Sequence, residues 1–140
     1  MTGWIMATDI SLTAAANLVV LALTDYSAEL SFAPDFELPR LVNRRVVVVP
    51  FGCESKMVGK NTVEKIFNLQ IGILMRAKSV DTVDLIAQSE AIGQRLLNAK
   101  LGVLYCYEVV WDPIYSADDL RSKNQFTSVI DVKLKLVTGK

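Results

Sequence analysis

Fifteen consecutive residues, Thr62–Arg76 (TVEKIFNLQIGILMR), carry the pattern that most restricts how this chain can fold. Phe67, Leu69, Ile71, Ile73 and Met75 fall on one side of an extended chain, and Asn68, Gln70 and Gly72 on the other. A period of two is the mark of a strand with one buried face. At roughly 3.3 Å per residue such a strand reaches about 50 Å, whereas ordinary strands run about 5–6 residues. Residues 126–138 (FTSVIDVKLKLVT) and 105–116 (YCYEVVWDPIYS) promise strands nearly as long. Strands of this length bend, or extend past their own core to meet another subunit. An assembly protein is therefore the first expectation.

Length and composition fit one domain spanning residues 1–140, with residues 1–8 as a loose N-terminal extension in which Met6 is a second candidate start. Hydrophobic residues make up 51% and charged residues 21%, which argues against long-range disorder. The longest apolar run, residues 14–23, is broken by Asn17 and falls short of the roughly 18 residues a membrane span needs. The first basic residue is Arg40, so the start lacks the basic leader of a secretory signal. Cys53 and Cys106 set no disulfide framework and are expected as buried free thiols in a reducing cytoplasm.

The formal net charge of zero hides a division. Residues 1–39 hold Asp9, Asp25, Glu29, Asp35 and Glu37 with no base, leaving 15 basic and 10 acidic residues for the rest. Either the acidic segment folds back on its own basic body, or it reaches a basic surface on a neighbouring copy, as in a head-to-tail ring.

Thr8 or Asp9 is placed to cap a helix that starts near Ile10 and ends at Tyr26–Ser27, with Leu12, Ala16, Val19 and Leu23 as its core stripe. A short strand follows near residues 29–32. Residues 44–51 (RRVVVVPF) read as a covered strand ended by Pro50, and residues 52–61 (GCESKMVGKN) as a polar loop at the mobile tip of a hairpin. Residues 79–100 form the second helix, capped by Ser79 or Asp81, with Val83, Ile86 and Leu97 beside Leu85, Ile92 and Leu96 on its apolar face. Gly93 is placed for close approach to the sheet. Residues 117–124 (ADDLRSKN) read as a charged loop. The expected fold class is α+β: a mainly antiparallel twisted sheet, two helices packed on one face, and a long projecting hairpin.

Candidate chemistry is sparse. The chain has no histidine, the commonest general base and metal ligand, so neither a Ser–His nor a Cys–His nucleophile can be assembled. Two isolated cysteines lack zinc-site spacing. Gly59–Lys60 follows a strand and a loop, yet Glu54 stands where a phosphate-binding loop needs its first glycine and Asn61 where Ser or Thr would hold magnesium. Asp118–Asp119 and Asp81/Asp84 read as a solvated turn and as acids at a helix start. No catalytic residue, metal or cofactor is expected, and the chain is read as no enzyme. Lys56, Lys60, Arg121 and Lys123 put positive charge in two loops, enough for passive contact with DNA but without the basic–aromatic stripe of a specific reader. Trp111, Tyr105 and Tyr107 are expected in core or interface.

The order of elements, closing on FTSVIDV at residues 126–132 and with VDTVD opening the second helix, resembles the tail terminator (tail-completion, or minor tail) proteins of long-tailed bacteriophages over most of the chain. The resemblance implies a hexameric ring on the head-proximal end of the tail tube. There it would end tube polymerisation and join the tail to the head connector or stopper, with a bore that passes DNA, in the neck of a virion assembled in the host cytoplasm. The implied partners are sister copies, the tail tube protein and the connector. Glu54, Lys56, Met57, Val58 and Lys60 at the hairpin tip are the expected contacts between subunits or rings, followed by Asp118, Asp119, Arg121 and Lys123. The alternatives are another head–tail joining protein (stopper or adaptor) and a small cytoplasmic ligand-binding or regulatory domain.

Overall fold

The computed structural model describes residues 10–32, 38, 42–77 and 82–139, with side chains described as far as residue 136. The elements, in chain order, are helix α1 (Leu12–Ala22), a 3-10 turn (Thr24–Tyr26), strands β1 (Glu29–Leu30), β2 (Arg44–Gly59) and β3 (Thr62–Arg76), helix α2 (Thr82–Leu97), strand β4 (Tyr105–Trp111), helix α3 (Ala117–Lys123) and strand β5 (Gln125–Gly139). The strands make one sheet in the order β1-β2-β3-β5-β4, antiparallel throughout except for the β1–β2 pair. The fold is α+β.

The alternation in β3 does what its period requires. Phe67, Leu69, Ile71, Ile73 and Met75 form one core with Ile130, Val132 and Leu134 of β5, and α1 and α2 cover it with Ala15, Ala16, Val19, Leu85, Ile92 and Leu96. Both long helices thus lie on the same face. Burying a side chain such as Phe67 contributes about 1.5–3 kcal/mol, so this face dominates the stability of the fold. Of the stripe expected on α1, Ala16, Val19 and, just past the helix, Leu23 are buried with Ala15 beside them, and Leu12 is partly buried against the core. On α2 the buried residues are Leu85, Ser89, Ile92, Gly93 and Leu96, Ile86 is partly buried, and Val83 and Leu97 turn to solvent. A helix facing a sheet on one side only has room for the narrower stripe.

Several boundaries move. Ser11 caps α1, its hydroxyl accepting from the Ala14 N–H at 3.1 Å. Thr8, Asp9, Ser79, Asp81 and the extension over residues 1–8 lie outside the described residues. The chain leaves α1 through the 3-10 turn and Ser27, whose left-handed backbone (φ 55°) stops further helix. The expected loop over residues 52–61 is strand as far as Gly59, and only Lys60 and Asn61 turn the chain.

Pro50 does not end β2. Ser31 donates to the Val48 carbonyl at 3.0 Å, so the backbone groups of Val48 and, by alternation, Pro50 point away from β3. The missing N–H therefore costs no bond in the β2–β3 ladder. The expected two-stranded projecting hairpin is also corrected. β5 pairs with β3 over its whole length, from Gln125↔Arg76 to Gly139↔Thr62, so the outer part is a three-stranded ribbon. Residues 117–123 are helix α3, because Ser116 caps them from the Asp119 N–H (3.2 Å) and Asn124 ends them at φ 50°. β4 stops at Trp111, but backbone bonds to Val129 and Thr127 continue through Asp112, Pro113 and Ser116.

Candidate interaction surface

The sheet's second face is built from the other half of each alternating strand. Near the start of β5 it is buried: Val47, Val49, Leu74 and Thr127 have little exposure there. Gln125 projects from this face and accepts the Leu38 N–H at 3.1 Å, which brings Leu38 over it. Gln125 donates to Thr127 Oγ1 at 2.7 Å, and Thr127 donates to Asp119 Oδ2 at 2.6 Å. One buried polar chain thus ties Leu38, β5 and α3 together.

Further along, the same face is open. Phe51, Asn68, Gln70, Glu108, Val110, Asp131 and Lys133 line a depression of about 470 Å³. Its floor is self-paired: Gln70 donates to Asp131 at 3.3 Å and Lys133 lies 3.5 Å from Glu108. Beyond it Glu64 sits between Lys56 (3.8 Å) and Lys135 (3.5 Å), and Lys135 lies over the Tyr107 ring, 4.7 Å from its centroid. Exposed ion pairs of this kind contribute about 0–1 kcal/mol each. Their main effect is to leave little uncompensated charge. Polar positions at a period of two in β3 and β5 were visible in the sequence; which of them share a row depends on register, which was not.

The nine expected contact residues fall into two groups that the fold separates. Glu54, Lys56, Met57 and Val58 lie in the outer part of β2 and Lys60 in the turn, all exposed, with Met57 at 63%. Asp118, Asp119, Arg121 and Lys123 lie in α3, before the start of β5, while the turn lies level with the far end of β5. At about 3.4 Å per residue the length of β5 puts the groups some 45 Å apart. The α3 group is largely satisfied within itself. Arg121 bridges Asp118 (2.6 Å), Lys123 lies 3.9 Å from Asp119, and Asp119 also holds Thr127. Of the four cations offered to DNA, Lys56, Arg121 and Lys123 each have a carboxylate within 4 Å.

The acid–base division closes within the chain where it is described. Asp25 meets Arg95 at 2.7 Å and Glu29 meets Arg45 at 2.9 Å. The Tyr26 ring lies between Arg44 and Arg95, with centroid distances of 5.3 and 5.1 Å. The hydrogen bond that Arg95 donates to Asp25 raises the Arg95 pKa, keeping that guanidinium charged. Asp9, Asp35 and Glu37 lie outside the described residues. Internal pairing is the alternative this geometry favours. Cys106 is buried as expected but Cys53 is exposed, because the strand that replaces the loop holds it on the uncovered outer part of β2.

The two margins of the sheet differ from its interior. Among the described residues, β1 pairs only with Val47 and Val48, and no strand lies on the outer side of the remainder of β2 or on the outer side of β4. Exposed apolar side chains mark both margins: Phe51 (73%), Met57 and Val58 on β2; Tyr105, Tyr107 and Val110 on β4. No helix of the described residues is long and apolar enough to cross a membrane. Comparison with protein-family models and with curated protein sequences finds no match for this chain.

Proposed function

We propose that this chain is a structural assembly protein: a ring-forming terminator at the head-proximal end of a long phage tail tube, which ends tube polymerisation and joins the tail to the head connector. The observation that carries the assembly reading is the outer side of β2, where the strand runs on from Val49 to Gly59 with no strand beside it among the described residues. Open edges of this length are sites of strand addition unless they are covered. The phage assignment rests on the resemblance in element order. The self-paired charges of the open face suit a bore that passes DNA without holding it, since counterion release would bring little affinity there. The virion is the corresponding location, with the tail tube protein and the connector or stopper as partners.

Electron microscopy of virus particles assembled without this protein tests the reading. Overlong or unattached tails are expected, and normal virions would end it. The depression on the open face favours a second reading, a small ligand-binding or regulatory domain. A strictly monomeric chain at high concentration that binds a small polar molecule there would replace the first reading with this one.

A further inference from the structure

Within the assembly reading, the geometry points to one mode of association: the edge of β2 that no described strand covers pairs antiparallel, in the next copy, with the likewise uncovered edge of β4, repeating head to tail. The partner is a second copy of this chain, and four features of the sheet support it.

Polarity comes first. β2, β3, β5 and β4 alternate in direction, so β2 and β4 run in opposite senses. A rotation about an axis along the strands keeps each direction. It therefore brings β4 of one copy beside β2 of the next as an antiparallel pair, a heterologous contact of the kind that closes rings.

The second feature is height. Following register across the sheet, Val49 is level with Gln70, Asp131 and Val110, Gly52 with Asn68, Lys133 and Glu108, and Glu54 with Ile66, Lys135 and Tyr105. Residues 49–54 of that β2 edge thus stand at the level of residues 105–110 of β4. Copies joined there without sliding do not climb, so the contact is compatible with a flat ring instead of an open spiral.

The third is the side chains. Gly52 and Glu108 belong to the same face of the sheet, and the rotation preserves that face. Phe51 on one margin and Tyr105 and Val110 on the other leave large apolar surface exposed at the level where the copies would meet.

The fourth is the backbone. The irregularity between Pro50 and Gly52 shifts the alternation of β2 by one residue. Cys53 and Ser55 then direct their N–H and C=O groups outward, giving donors and acceptors where Pro50 offers no donor.

Cysteine cross-linking tests this directly. Gly52→Cys and Glu108→Cys are combined in a Cys53→Ser background; a Cβ at Gly52 meets only the Asn68 amide, at 4.0 Å, so the substitution fits. Antiparallel partners have Cα atoms about 4.5–5.5 Å apart, within disulfide range. Copper–phenanthroline oxidation of the oligomer is expected to give a ladder of covalent multimers on a non-reducing gel. Each chain carrying only one of the two introduced cysteines should stop at dimers, since the remaining Cys106 is buried, and the pair Gly52→Cys with Asp118→Cys should give no ladder. If the protein is oligomeric but the 52/108 pair gives no ladder, or the 52/118 pair gives one equally, the edge pairing is overturned and the assembly reading stands. If the full-length chain stays monomeric at several hundred micromolar, both fall. Cys53→Pro, which removes the outward donor level with Cys106, should weaken association at least tenfold while the circular dichroism spectrum is retained. Unchanged association in that variant would also overturn the pairing.

Discussion

Gly93 of α2 lies directly against the indole of Trp111 on β4. A Cβ built on Gly93 would overlap Cζ2 of the ring and stand 2.9 Å from Cη2. The same indole donates its Nε1–H to the Ser89 carbonyl at 3.2 Å, one turn earlier in the helix. Trp111 is thereby held at the seam between helix and edge strand by a contact only glycine permits.

Gly93→Ala should therefore destabilise the protein although alanine is the better helix former. The helix gains about 1 kcal/mol, whereas forcing the ring aside costs about 1–3 kcal/mol. A net loss of up to about 2 kcal/mol is expected by urea unfolding followed through tryptophan fluorescence. A stabilised variant would show that the indole yields freely.

Ser89 and Ser128 share a hydrogen bond of 2.7 Å with both side chains fully buried, one from α2 and one from β5. Removing either hydroxyl strands the other, at about 1–3 kcal/mol. Ser89→Ala and Ser128→Ala should each be destabilising, and the double variant clearly less so than their sum. A double-mutant cycle gives the coupling, expected at about 1 kcal/mol or more; strict additivity would remove the pairing from any account of how α2 is seated.

The sequence made most of β3 and residues 130–136 of β5 legible because there one face is buried and the other is polar, so alternation survives. The outer half of β2 was illegible for the opposite reason. From Cys53 to Gly59 every residue is exposed, so burial selects no pattern, and the segment is strand because β3 pairs with it while β5 braces β3 from the other side. Tertiary context outweighs the loop-like composition of GCESKMVGKN. Helix α3 was missed although its signal was present: Ser116 with Asp119 three residues later is capping chemistry, obscured by a helix of seven residues. As for the surface, the residues of the open face could be collected from their alternation. Their matching heights across four strands could not, since register is set by pairing between distant segments.

Asp118 and Asp119 are adjacent in sequence but unlike in setting, and the difference is measurable. Asp119 accepts from Thr127 within the buried chain that reaches Leu38, whereas the Asp118 carboxylate bridges the exposed Arg121. Thr127→Val keeps the shape but leaves the Gln125 amide and the Asp119 carboxylate without this partner; a loss of about 1–3 kcal/mol is expected. Asp118→Ala should stay within about 0.5 kcal/mol of the parent. Equal effects in chemical denaturation would mean that the buried chain does not anchor α3.

The two cysteines should report the sheet's covered and uncovered regions separately. Cys53 is exposed and should react with a thiol reagent at pH 8 within minutes, one equivalent per chain, while Cys106 should react only as fast as the protein opens. Burial pushes the Cys106 thiol up from its ordinary value of 9.0. Because the folded state holds this proton more tightly than the unfolded chain does, the contribution is complete below about pH 9 and declines as pH rises above it. Cys106→Val removes the titrating group at similar volume. The stability of the parent relative to this variant should therefore fall between pH 8 and pH 10.5, read from urea midpoints at each pH. A constant difference across that range, or two thiols reacting at one rate, would place Cys106 outside the core.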